Sequence, residues 1–132
     1  MPLQKIRLEL ARCRDFPNGS SLHGYDFIAP LDRQAHFDPE EWKANRALCH
    51  VRRFWLGQPD ETGLLVHGKG HHWAFSYDPA QEEDDEPIFR FDRHEFRVGD
   101  YVSITEHDGV QRPFRIAAIK RAPFVSSADK TF

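Results

Sequence analysis

Hydrophobic and polar positions alternate in short runs along most of this chain. From Leu3 to Ala11, Ile6, Leu8 and Leu10 fall on one side of an extended segment, and Lys5, Arg7 and Glu9 on the other. A period of two belongs to a half-buried β-strand, because successive side chains point to opposite faces. The pattern predicts further strands at Gly24 to Leu31, Leu48 to Leu56 and Ile88 to Phe91. Pro17-Asn18-Gly19-Ser20-Ser21 separates the first two strands as a loop.

The clearest hairpin runs from Phe96 to Lys120, and two turns compete for it. A two-residue Asp108-Gly109 loop is the strongest short hairpin signal. It would pair Val102 with Arg115 and turn Phe114 and Ile116 away from Val102 and Ile104. A slip of one residue moves every side chain to the other face, so that register conflicts with a buried side. A three-residue His107-Asp108-Gly109 loop pairs Glu106 with Val110 and Val102 with Phe114, and it gathers the apolar set on one face. This second register is expected. Gly109 then takes the left-handed position of a G1 bulge, where a residue without Cβ is unstrained.

A second hairpin is predicted from Thr62 to Tyr77. Trp73, Phe75 and Tyr77 share one face, and Leu64 and Val66 are expected to join it with Val66 opposite Trp73. That register sets His67 against His72 and leaves Gly68-Lys69-Gly70-His71 at the tip. One helix start stands out at Asp38-Pro39-Glu40-Glu41. Asp38 can cap, proline suits the first helical position, and Glu41 completes a capping box. Phe37 and Trp42 sit where a hydrophobic staple would hold the entry angle. This helix is expected to be short and to end near Ala47.

About seven or eight short strands with one short helix predict a mainly β fold, a small antiparallel β-barrel or sandwich. The 132 residues suit a single β-domain over 1–125, followed by a loose polar tail at 126–132. Nine Pro and eight Gly argue against long helices, and eleven Phe, three Trp and three Tyr supply large core side chains. No apolar run is long enough for a membrane span, and Met1 to Cys13 has no signal-like core, so a cytoplasmic protein is expected. Cys13 and Cys49 are then expected to be free thiols.

The net charge is −3, and Glu82-Glu83-Asp84-Asp85-Glu86 alone carries −5, which leaves +2 for the rest. The acidic run is expected to be a solvated loop. Among the basic residues, Arg46, Arg53, Arg112 and Arg115 are candidates for an Arg-rich face that meets an anionic partner, protein or nucleic acid. The planar guanidinium fork suits carboxylate and phosphate. The four belong to alternating runs, so one shared face is a condition rather than a given.

His67, His71 and His72 form the one candidate metal cluster, with Zn as the ion that such imidazoles would hold. No cofactor is otherwise predicted. The chain has no Gly-x-Ser-x-Gly, no phosphate-binding Gly-rich loop and no His-Glu-x-x-His. Cys49 beside His50 is not a dyad, because neighbours on a strand face opposite ways. The sequence therefore reads as a non-catalytic binding or interaction module. The alternative is a metal-dependent enzyme built on His67, His71 and His72.

Overall fold

A computed structural model describes residues 3–67, 73–77, 86–89, 95–106 and 108–122. Their strands close into an eight-stranded antiparallel barrel: β1 (Leu3–Leu10), β2 (Ser20–Pro30), β3 (His50–Trp55), β4 (Gln58–His67), β5 (Trp73–Ser76), β6 (Glu86–Phe89), β7 (Tyr101–Thr105) and β8 (Gln111–Arg121). Each strand pairs with the next in sequence, and β8 returns to β1. Closure removes the open sheet edges that so many short strands would otherwise present. Of the two predicted architectures, barrel and sandwich, the barrel forms. Residues 126–132 lie outside the described residues. No helix among those described is long and apolar enough to cross a membrane.

The β7–β8 hairpin has the predicted register. Val102 pairs with Phe114 and Ile104 with Arg112. Gly109 has φ 80°, and its N–H donates to the Glu106 carbonyl at 2.8 Å. The β4–β5 hairpin differs from expectation by one residue. Val66 pairs with Ala74, Leu65 with Phe75 and His67 with Trp73. Leu65 and Phe75 therefore enter the core while Leu64 and Val66 stay half-buried. The packing explains the shift, since the His67 ring stacks on Trp73 at 4.2 Å and serves as an aromatic plate. Trp73 and Phe75 are buried, as their shared face implied.

One end of the barrel is closed by the β2–β3 connection. Asp38 Oδ1 accepts from the N–H groups of Glu40 and Glu41, which starts α1 (Pro39–Ala44). The helix stops at Ala44, and a 3-10 turn at Arg46–Leu48 follows in place of the last predicted helical residues. Phe37 and Trp42 are both buried against Trp73, with ring centroids 5.0 and 5.6 Å away. Trp42 Nε1 donates to the Leu65 carbonyl at 2.9 Å, so the indole has both its apolar and its polar requirement met. Above this plug, Phe27, Phe75, Tyr25 and Phe114 fill the lumen with ring centroids 5.0–5.1 Å apart. A barrel of eight strands is just wide enough for side chains to fill.

Candidate functional site

The opposite end of the barrel holds most of the polar chemistry, and β3 organises it. Its side chains alternate, so Val51, Arg53 and Trp55 face the lumen while Arg52 and Phe54 face out. Two arginine clusters result, one on each side of the barrel wall.

Inside, Arg53 crosses the lumen to Glu106. Its Nη2 and Nε donate to Glu106 Oε2 at 2.7 and 3.2 Å. Arg112 Nη1 donates to the other oxygen, Oε1, at 2.8 Å. Glu86 lies beside them, with its Oε2 3.7 Å from Arg53 Nε. Glu86 Oε1 accepts from the hydroxyls of Tyr77 at 2.7 Å and Tyr25 at 3.0 Å. Glu86 is fully buried, as is Tyr25, and Glu106 nearly so. Burial and the neighbouring carboxylates push both tyrosine hydroxyls far above their ordinary range, so they stay protonated and donate. Burial opposes the charge on Arg53, but the hydrogen bonds to Glu106 and the adjacent carboxylates outweigh it and hold this guanidinium charged.

An aromatic rim lies over this layer. The Arg53 and Arg112 guanidiniums approach the Trp55 ring at 4.5 and 5.8 Å. His23 meets Trp55 edge-on at 4.3 Å and Phe16 at 4.6 Å. His23 Nδ1 lies 2.6 Å from Ser20 Oγ. Burial first, and then the Arg53 charge, lowers the His23 pKa.

Outside, Arg7, Asp26 and Arg52 stand opposite one another on β1, β2 and β3. Arg7 Nη1 donates to Asp26 Oδ2 at 3.2 Å, and Arg52 Nη2 ion-pairs with the same oxygen. Arg52 Nη1 also donates to Asp60 Oδ2 at 3.0 Å, and Arg7 Nε to Glu9 Oε2 at 2.9 Å. Both guanidiniums lie over the Phe54 ring, at 4.4 Å for Arg7 and 5.2 Å for Arg52. Phe54 can lie against the wall because its partner on β2 is Gly24. A Cβ there would fall 1.9 Å from the Leu8 carbonyl and 3.0 Å from the Phe54 ring. Next to this cluster is an open groove of about 380 Å³, bordered by Arg7, Leu22, Arg52, Phe54, Leu56 and Asp60 among others. Leu22 is 56% exposed and Leu56 65%.

The four arginines expected on one face are therefore divided. Arg53 and Arg112 point into the lumen and converge on Glu106. Arg115 points out, 3.7 Å from Glu9. Arg46 lies at the other end of the barrel, over the Trp42 ring at 4.8 Å. Strand alternation and the length of the barrel keep them apart. The histidine trio is also changed, because His67 faces Trp73 rather than His72; His71 and His72 lie outside the described residues. Among the described residues, no group of three or more His, Cys, Asp or Glu is placed to hold a metal ion. The acidic run is not a solvated loop throughout. Glu86 belongs to β6 and is buried, drawn in by two tyrosine hydroxyls and Arg53. Glu82, Glu83, Asp84 and Asp85 lie outside the described residues.

Sequence reasoning missed Arg7, Tyr25, Asp26, Glu86 and Glu106 as site residues. The signal was present in the alternation. Glu106 continues the inward face of Val102 and Ile104, and Arg112 precedes Phe114 and Ile116 on theirs, whereas Arg7 keeps to the polar face of its strand and carries no such mark. No family model, curated protein or solved structure matches this chain.

Proposed function

We propose that this protein is a non-catalytic interaction module and that its contact surface is the outer groove beside Arg7 and Arg52. One observation carries the reading. Leu22 and Leu56, both largely exposed, border two guanidiniums spread over an aromatic ring. Exposed apolar side chains beside arginine and aromatic groups are the usual composition of a protein contact surface.

The distribution of charge favours a protein partner over nucleic acid. Arg7 and Arg52 are matched by Asp26 and Asp60, so the groove has no surplus of positive charge. Binding to a phosphate backbone depends on that surplus and on the counterions it releases. The lumen supports a non-catalytic reading. Glu86, Glu106 and Tyr25 are buried, Tyr77 is half-buried, and they are bonded to one another rather than turned toward an open cleft.

Selection from a random peptide library displayed on phage tests this directly. Peptides enriched on the wild-type chain are expected to combine acidic and aliphatic residues and to lose binding to Arg52→Gln and to Leu56→Glu. Enriched peptides that bind both variants as well as wild type would place the contact surface elsewhere. Tight binding of a duplex or single-stranded oligonucleotide at ~50 mM salt, lost at ~200 mM, would replace the protein partner with nucleic acid.

A further inference from the structure

We propose that Asp60 is a resident occupant of the groove, holding at Arg52 the place that a carboxylate side chain of the protein partner takes. This rests on the groove being the contact surface, and it names the group that the surface recognises.

Arg52 has two carboxylate partners that differ in one respect. The Asp26 side chain is 6% exposed and is shared with Arg7, whereas the Asp60 side chain is 47% exposed. An exposed ion pair is weak and exchanges readily, because solvent screens it and the side chains lose entropy on pairing. A buried pair is costly to break, because the charge left behind has no water. Only the bond from Arg52 Nη1 to Asp60 is therefore open to replacement. Arg52 Nε is buried without a hydrogen-bond partner, so it adds nothing that a ligand can reach from the groove.

The exchange position accepts one carboxylate. A phosphate monoester placed there would bring a second negative charge toward Asp26, which both arginines already share. Leu22 and Leu56 border the same groove, so residues flanking the incoming carboxylate should be aliphatic. The recognised element is an Asp or Glu between aliphatic side chains. Asp60 lowers the affinity of the groove for it by competing for Arg52.

The test is a two-dimensional ¹⁵N NMR titration of the full chain with three blocked peptides, Ala-Leu-Xaa-Leu-Ala, where Xaa is Glu, Gln or phosphoserine. Wild type, Asp60→Asn and Arg52→Gln are compared, each first checked for a dispersed, folded spectrum. The Glu peptide should shift resonances of Ser21, Leu22, Leu56 and Gly57 in wild type. Asp60→Asn should bind it roughly two- to five-fold more tightly, the range expected for removing one exposed competing pair. Arg52→Gln should lose it, and the Gln peptide should be indifferent to Asp60→Asn. If wild type binds the Glu peptide in the groove and Asp60→Asn binds it no more tightly, Asp60 is no competitor, though the groove stands. Equal tightening for the Gln peptide, or tighter binding of the phosphoserine peptide, would overturn carboxylate exchange. No shift at these residues with any peptide in wild type or Asp60→Asn would remove the groove itself.

Discussion

Arg52 and Arg53 are adjacent on β3, and each joins a second arginine in gripping one carboxylate. Outside, Arg52 and Arg7 hold Asp26; inside, Arg53 and Arg112 hold Glu106. The chemistry is the same and the setting is opposite. The Arg53 side chain is 8% exposed and that of Glu106 1%, while Arg7 and Arg52 are 36% and 33% exposed. Buried, the pairing ties β3 across the lumen to the residue after β7 and to β8, and no partner can be exchanged without leaving a charge out of water. At the surface, one member of the cluster can let go at little cost. Burial, rather than residue type, separates the part that holds the barrel together from the part able to bind.

The largest effect should come from breaking the inner tie. Arg53→Met leaves Glu106 to Arg112 and to the Tyr25 hydroxyl 3.4 Å away, and removes the positive charge beside Glu86. The expected loss is about 3–5 kcal/mol of unfolding free energy, measured by urea titration. Adding Glu106→Gln to that variant should recover part of the loss, because the uncompensated charge is then gone; the two changes should be non-additive by about 0.5–3 kcal/mol. Strict additivity would mean that the pair does not act as a unit.

The outer carboxylate should matter less than the inner arginine. Asp26→Asn removes the charge shared by Arg7 and Arg52, but both retain a second acceptor in Glu9 and Asp60. The expected cost is about 1.5–3 kcal/mol, the range for hydrogen bonds to charged groups. A loss as large as that of Arg53→Met would erase the distinction between the two clusters.

Acid should strain the inner side of the wall through His23. Its pKa is lowered in the folded state by burial and by Arg53, with Glu106 acting the other way. The unfolded chain therefore takes up the proton first. The stability linked to His23 is fully present above the ordinary value of 6.5 and is lost as the pH falls from there through the folded value. Wild type should lose more stability than His23→Gln between pH 7.5 and 5.5, read from urea midpoints at each pH. Parallel losses would show that His23 takes no part. The smallest effect is expected at Asp60, where Asn should change stability by only about 0–1 kcal/mol while binding changes measurably.

Much of the fold was legible in the sequence. Val102, Ile104, Phe114 and Ile116 fixed the β7–β8 register, because only one turn put them on the same face. Asp38 and Pro39 marked the helix start. The β4–β5 register was harder to read, since His67 was treated as polar when its ring packs like an aromatic. The candidate site was legible only in part. Alternation assigns Arg52 and Arg53 to opposite faces, but it does not say which face is lumen when both carry arginine and aromatic residues. Glu86 was read with the solvated acidic run and Glu106 as part of the hairpin turn, because a carboxylate is rarely buried unless paired. Their partners, Arg53, Tyr25 and Tyr77, lie far away in sequence or across a loop.

The most direct measurement is the stability of Arg52→Met and Arg53→Met, side by side, in urea at low and high NaCl. Salt screens exposed charges far more than buried ones. Arg53→Met should lose more stability than Arg52→Met, by an amount that salt leaves unchanged, whereas the part of the Arg52→Met loss that comes from the exposed pair with Asp60 should shrink as salt rises. Equal losses, or a loss at Arg53 that salt removes, would contradict the division between a buried tie and an exchangeable surface.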